Sequence, residues 1–344
     1  MSQTSLKILE NSEGISEGYF SGRVSFQFEK YTSAQESGVA FLFAGQGSVY
    51  PGMFKDAYEE FETVRNTFEK ADKISKSLGL PPISAYTLKP ESLSETERYA
   101  IQNICLFTAE VGLFLALSEK GVKARAVTAH SFGEYAALVA SGVAPFEDVF
   151  RFVCFREKNS PPKNERGFLI AVNGNPEQIK TWLAGHEYHI ANLNSESQTV
   201  IAVAPQGVDG ILRTLEDKQI RRKQLPTPQP YHSPLLSDMP TKLEAYLQAT
   251  PIEPRAMTIP MVSSVTHTWH DSLSKEQFKQ LLTRQMVEPV HFTTQLRTLR
   301  DKGCSQYVEI GPSVVLSAFV EATIGEKAVP VDFYTRLSRK KKTT

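Results

Sequence analysis

Val39-Ala40-Phe41-Leu42-Phe43 is an unbroken apolar run that stops at Gly45-Gln46-Gly47. A strand with one face in water alternates polar and apolar residues. A strand with no polar position is covered on both faces, as in a parallel sheet sandwiched between helices. The glycines supply a tight loop at its carboxyl end. Similar short strands are predicted at 125–128, 260–265 and 306–310, the last ending at Gly311-Pro312. Helices are predicted between them. One spans 94–120, opened by a Ser94/Glu97 capping box and closed by Gly121. Others cover 132–141, stopped by Gly142, then 147–158, 233–249 and 274–286. This alternation predicts an α/β fold.

Residues 166–228 break the rhythm. Strand 168–172, helix 176–184, strands 188–193 and 199–204, helix 208–218 and strand 220–225 follow in the order β-α-β-β-α-β. That is the ferredoxin-like order. The segment is bracketed by Ser160-Pro161-Pro162-Lys163 and Pro226-Thr227-Pro228-Gln229-Pro230. The expected architecture is an α/β-hydrolase-like large subdomain with a parallel sheet, residues 38–165 and 229–330, carrying an inserted ferredoxin-like small subdomain at 166–228. Residues 1–37 read as a polar extension, although 24–28 alternates like a short strand, and 331–344 as a basic tail.

Charge narrows the function classes. Lys plus Arg and Asp plus Glu both number 38, and the only basic run is Arg339-Lys340-Lys341-Lys342. A nucleic-acid binder would show a basic balance or face, so none is expected as a partner. Three widely spaced cysteines give neither a disulfide framework nor a zinc pattern, so no metal is expected. No apolar leader opens the chain, and no stretch is read as a membrane span. A soluble, cytoplasmic, monomeric protein is the expectation.

The chemistry concentrates at Ala129-His130-Ser131-Phe132-Gly133. A serine on a sharp strand-to-helix turn is exposed to a substrate, and the helix start offers N–H groups to a developing oxyanion. A helix N-cap is the other reading of the same serine. The serine needs a base, and of the 7 histidines His232 lies where the chain leaves the small subdomain, a natural cleft wall. Gly45-Gln46-Gly47-Ser48 lacks the third glycine of a dinucleotide loop and the Lys of a P-loop, which leaves an oxyanion donor or a plain turn. Arg156, on the predicted helix 147–158, could bind a carboxylate bidentately or simply be exposed.

Together these residues resemble the malonyl-CoA:acyl carrier protein transacylase family, which includes polyketide synthase acyltransferase domains and their discrete, trans-acting counterparts. The resemblance covers about 39–325. It rests on Phe43-Ala44-Gly45-Gln46-Gly47-Ser48, Gln102 on the long helix, Ala129-His130-Ser131-Phe132-Gly133-Glu134, Arg156 placed 25 residues after the serine, the Asn194 to Gln198 turn, Tyr231-His232-Ser233-Pro234, Gln285, and Glu309-Ile310-Gly311-Pro312. The resemblance implies an acyl ester on Ser131 and His232 as base. It implies backbone N–H groups of Gln46 and Phe132 as oxyanion hole, and Arg156, Gln102 and His130 as substrate-binding residues. A backbone carbonyl near Gln285 would orient the histidine. No permanent cofactor is implied: the donor is a coenzyme A thioester and the acceptor the phosphopantetheine thiol of an acyl carrier protein. Ala129, Val49 and Gln229-Pro230-Tyr231 depart from the family pattern. The last two leave the acyl unit open and keep one alternative, an acyl hydrolase that clears stalled carrier proteins; a non-catalytic carrier-protein docking scaffold is a separate alternative.

Overall fold

The computed structural model describes residues 7–10, 15–20, 24–29, 38–161 and 163–331. The basic run at 339–342 lies outside them. Strands β1 (Lys7–Glu10), β2 (Ile15–Phe20) and β3 (Val24–Glu29) form an antiparallel sheet, so the alternation at 24–28 is a strand.

The large sheet uses β4 (Val39–Phe43) and β5 (Ala126–Ala129). The small sheet follows with β6 (Phe168–Val172), β7 (His189–Ser195), β8 (Gln198–Val203) and β9 (Arg222–Gln224). The chain returns through β10 (Met261–Val262), β11 (Trp269–His270), β12 (Val290–His291), β13 (Gln306–Ile310) and β14 (Ala328–Val331). The large sheet runs β11-β10-β5-β4-β13-β14, parallel throughout except at β11. Every residue of β4 and β5 is buried, as a strand covered on both faces requires.

The small sheet runs β9-β6-β8-β7, the ferredoxin-like order, but does not end there. β12 pairs parallel with β7, Val290 opposite Asn192 and His291 opposite Leu193. A piece of chain assigned from sequence to the large subdomain therefore closes the edge of the small sheet. A two-residue strand is too short to carry a periodic signal, which is why the sequence does not show it.

The long helix is Glu95–Glu119, with the expected Ser94/Glu97 capping box. An 18-residue window of it has mean hydropathy 1.7, enough to cross a membrane by length and composition alone. Of that window 83% is buried inside the protein, so its apolarity serves the core. The strand expected at 260–265 shortens to β10, and the helix expected from 233 begins as a single tight turn, Pro234–Leu236, before Met239–Ala249.

Candidate active site

The carboxyl ends of β4 and β5 meet at one point. His130 N–H donates to Phe43 O at 2.9 Å. Two loops leave in contact, and glycine sets their approach. A Cβ on Gly133 would lie 2.5 Å from Phe43 O and 2.7 Å from Ala44 O, and one on Gly45 would lie 2.9 Å from His130 O. Ser131 occupies left-handed backbone, φ +56°, between β5 and a tight turn, Ser131–Gly133, that runs into the helix Glu134–Ala140. The first turn of the predicted helix is thus tighter than α. Left-handed backbone costs a non-glycine residue about 1–3 kcal/mol and persists where the surroundings enforce it.

His232 is also left-handed, φ +62°, and only 2% exposed. Its backbone N–H donates to Met286 O at 2.7 Å, and its ring Nδ1–H donates to Glu288 O at 2.8 Å. That second bond fixes the tautomer and leaves Nε2 with a lone pair. Ser131 Oγ donates to this Nε2 at 2.6 Å. The carbonyl that orients the ring belongs to Glu288, not to the position of Gln285. Gln285 instead accepts through Oε1 from Tyr135 at 3.2 Å and, weakly, from Arg156 Nη2 at 3.5 Å. A main-chain acceptor has no sequence signature, so nothing in the residue pattern distinguishes these positions. Burial, above all, pushes His232 down to about 3, so its ring is neutral at ordinary pH.

Ser131 and His232 line a cavity of about 170 Å³. One side is the glycine loop and His130. The opposite side is the small sheet, with Leu169, Ala171, Asn194 and Val200. His130 Nε2–H donates to Asn194 Oδ1 at 2.8 Å, and Asn194 Nδ2 donates to Gln198 Oε1 at 2.9 Å, which ties the serine turn to the β7–β8 hairpin. Phe319 and Leu316 close a third side. They are set by Glu309, whose buried carboxylate accepts from the N–H groups of Val315, Leu316 and Ser317, each at 2.8 Å. Glu134, after the serine turn, likewise accepts from Ser263 Oγ and from Ser264 N–H, the latter at 2.9 Å. Gln46, 8% exposed, also lines the cavity.

Two expected substrate-binding residues do not line this cavity. Gln102 is half-buried on the long helix. Arg156 is 1% exposed and stands behind the wall, its guanidinium carbon 5.0 Å from the Phe132 ring centroid and 5.4 Å from that of Tyr231. It is paired with Glu157, a neighbour the sequence reading passed over. A second missed cluster is His267 and His291, whose rings stack at 4.3 Å, with His267 Nε2–H donating to Pro289 O at 2.8 Å, one residue beyond the Glu288 carbonyl.

An acyl transferase domain model matches residues 40–342. The chain is 29% identical to the malonyl CoA-acyl carrier protein transacylase of Bacillus subtilis, over 83% of this chain and 90% of that protein. It is 30% identical to a non-reducing polyketide synthase of Gibberella fujikuroi over 84% of this chain but 13% of that protein, so it spans only a small part of the synthase's length. A malonyl-transacylase solved in complex with a type II polyketide synthase acyl-carrier protein superposes with TM-score 0.76 at 27% identity, over 89% of this chain and 99% of that one. An acyl carrier protein S-malonyltransferase from Vibrio cholerae gives TM-score 0.74 at 25% identity, over 88% of this chain and all of that one. The elbow, the histidine and the two-sheet architecture are thus found in a chain that belongs to the acyl transferase domain family, and the protein is an acyltransferase.

Proposed function

We propose that this enzyme moves a malonyl unit from coenzyme A to the phosphopantetheine thiol of an acyl carrier protein, through an ester on Ser131. The observation that carries the reading is the 2.6 Å Ser131–His232 pair with the ring locked from behind by Glu288 O. Ser131 Oγ attacks the thioester carbonyl while its proton passes to His232 Nε2. The carbon–sulfur bond breaks, and the departing thiolate takes that proton. In the second half, the carrier thiol gives its proton to Nε2 and its sulfur attacks the ester, and Oγ leaves and regains the proton. Backbone N–H groups of Gln46 and Phe132, on the two loops that meet at Ser131, would bind the oxyanion, where one such donor contributes roughly 10²–10³ in rate. Arg156, Gln102 and His130 would bind the acyl unit; because Arg156 and Gln102 lie outside the cavity lining, a free carboxylate would reach Arg156 past the Phe132 and Tyr231 rings. The three buried, unpaired cysteines suit a reducing, cytoplasmic setting.

The test is mass spectrometry of holo acyl carrier protein incubated with the enzyme and malonyl-CoA. Malonylated carrier is expected, and none above background would overturn the proposal. The apolar cavity lining and the paired state of Arg156 favour a second reading, hydrolysis of neutral acyl carriers. Release of free acid from acetyl carrier protein, without transfer, would select it.

A further inference from the structure

Arg156 sits in an aromatic cage of Phe132, Tyr135 and Tyr231, with the guanidinium carbon 5.0, 5.6 and 5.4 Å from their centroids. An isolated buried cation there would demand an anion. This one already has it. The Glu157 carboxylate pairs with Arg156 Nη1, and its other oxygen accepts from Asn103 Nδ2 at 2.7 Å. Both side chains are nearly closed to solvent, at 1% and 8% exposure. Arg156 Nε has no partner. The guanidinium is therefore neutralised by its own chain but keeps one donor in reserve.

We propose that Glu157 is a specificity-determining residue, an internal carboxylate that takes the place of a substrate carboxylate on Arg156 and so admits neutral acyl units beside carboxylated ones. This rests on the reading of Arg156 as carboxylate anchor and Ser131 as acyl carrier. With an unopposed arginine, a neutral acyl group would leave a buried charge unpaired, and the enzyme would reject it. With Glu157 in place, a neutral acyl group leaves the pair intact. A carboxylated group must share the fork, putting two negative charges around one positive charge in a buried space, where like charges disfavour each other. The reserve Nε donor still offers it a foothold, so carboxylated units are weakened rather than excluded. The surroundings of Ser131 agree, because Leu169, Val200, Leu225, Leu316 and Phe319 give the cavity an apolar lining that suits a hydrocarbon chain.

The test compares formation of the Ser131 ester from malonyl-CoA and from butyryl-CoA, by intact mass in single turnover, in wild type, Glu157→Gln, Glu157→Ala and Arg156→Ala. Removing the internal charge should raise the malonyl-over-butyryl ratio about ten-fold. Glu157→Ala leaves no amide behind and should shift the ratio the same way, which separates a lost charge from a misplaced side chain. Arg156→Ala should lower the ratio. A ratio unchanged or lowered in both Glu157 variants, with Arg156→Ala still lowering it, would overturn the role of Glu157 alone. A ratio indifferent to Arg156→Ala would overturn the anchor reading and this proposal with it.

Discussion

The two sheets that face each other across the cavity contribute in different ways. The large sheet supplies Ser131 on strained backbone, held by glycine contacts and by carboxylates that bind main-chain N–H groups. The small sheet supplies Leu169, Ala171 and Val200, side chains that define shape and carry no chemistry, with Asn194 as its polar link. The Ser131 turn and the apolar wall opposite it are thus built on separate layers, and changes to each should have separable signatures.

The largest effect should come from the reactive layer. Ser131→Ala should abolish the acyl-enzyme in intact-mass spectra, and His232→Ala should slow its formation by about 10³-fold or more. An acyl adduct surviving in Ser131→Ala would break the comparison outright. Gly133→Ala forces a Cβ to 2.5 Å from Phe43 O, a backbone atom that cannot move freely, so it should cost about 2–4 kcal/mol in urea denaturation.

Next comes pH. Burial lowers His232 from 6.5 to about 3 in the folded chain, whereas the unfolded chain takes up the proton near 6.5. Between those values the unfolded state binds more protons, so stability falls as pH falls. From pH 6.5 to 5 this one group should remove about 2 kcal/mol, a loss that His232→Gln should not show in denaturation measured at both pH values.

Asn194→Ala would leave His130 Nε2–H buried without an acceptor. It should cost about 1–3 kcal/mol in stability and reveal how far the small sheet supports the serine turn. The smallest effect belongs to the shape layer. Val200→Ala or Leu169→Ala should shift preference toward longer acyl chains by about ten-fold, measured as the ratio of acylation rates across an acyl-CoA series. A collapse of acylation with every donor would show that the layers are not separate.

Much of this was readable in the residues. β4, β5 and β13, the long capped helix and the β-α-β-β-α-β insert follow from apolar runs, capping pairs and turn residues. Ser131 and His232, 101 positions apart, are paired by the family resemblance rather than by their own spacing, and the two side chains meet at 2.6 Å. What sequence could not give was set by backbone atoms and by tertiary packing. Glu288 O acts through a carbonyl that every residue has. The left-handed conformations of Ser131 and His232 show in no composition. The burial of Arg156 depends on three rings brought together from positions 132, 135 and 231. Glu157 was the one signal in plain view, a carboxylate adjacent to the proposed anchor.

β12 carries a mechanical consequence. The segment from Met286 to His291 holds His232 by two carbonyls at one end and is stitched to the outer strand of the small sheet at the other. The small sheet is therefore also a lever. Any swing that widened the cleft by moving β7 would pull on the strap that aims the imidazole, so an open enzyme would be a disarmed one. Reactivity would return only when the cleft closed again over its cargo.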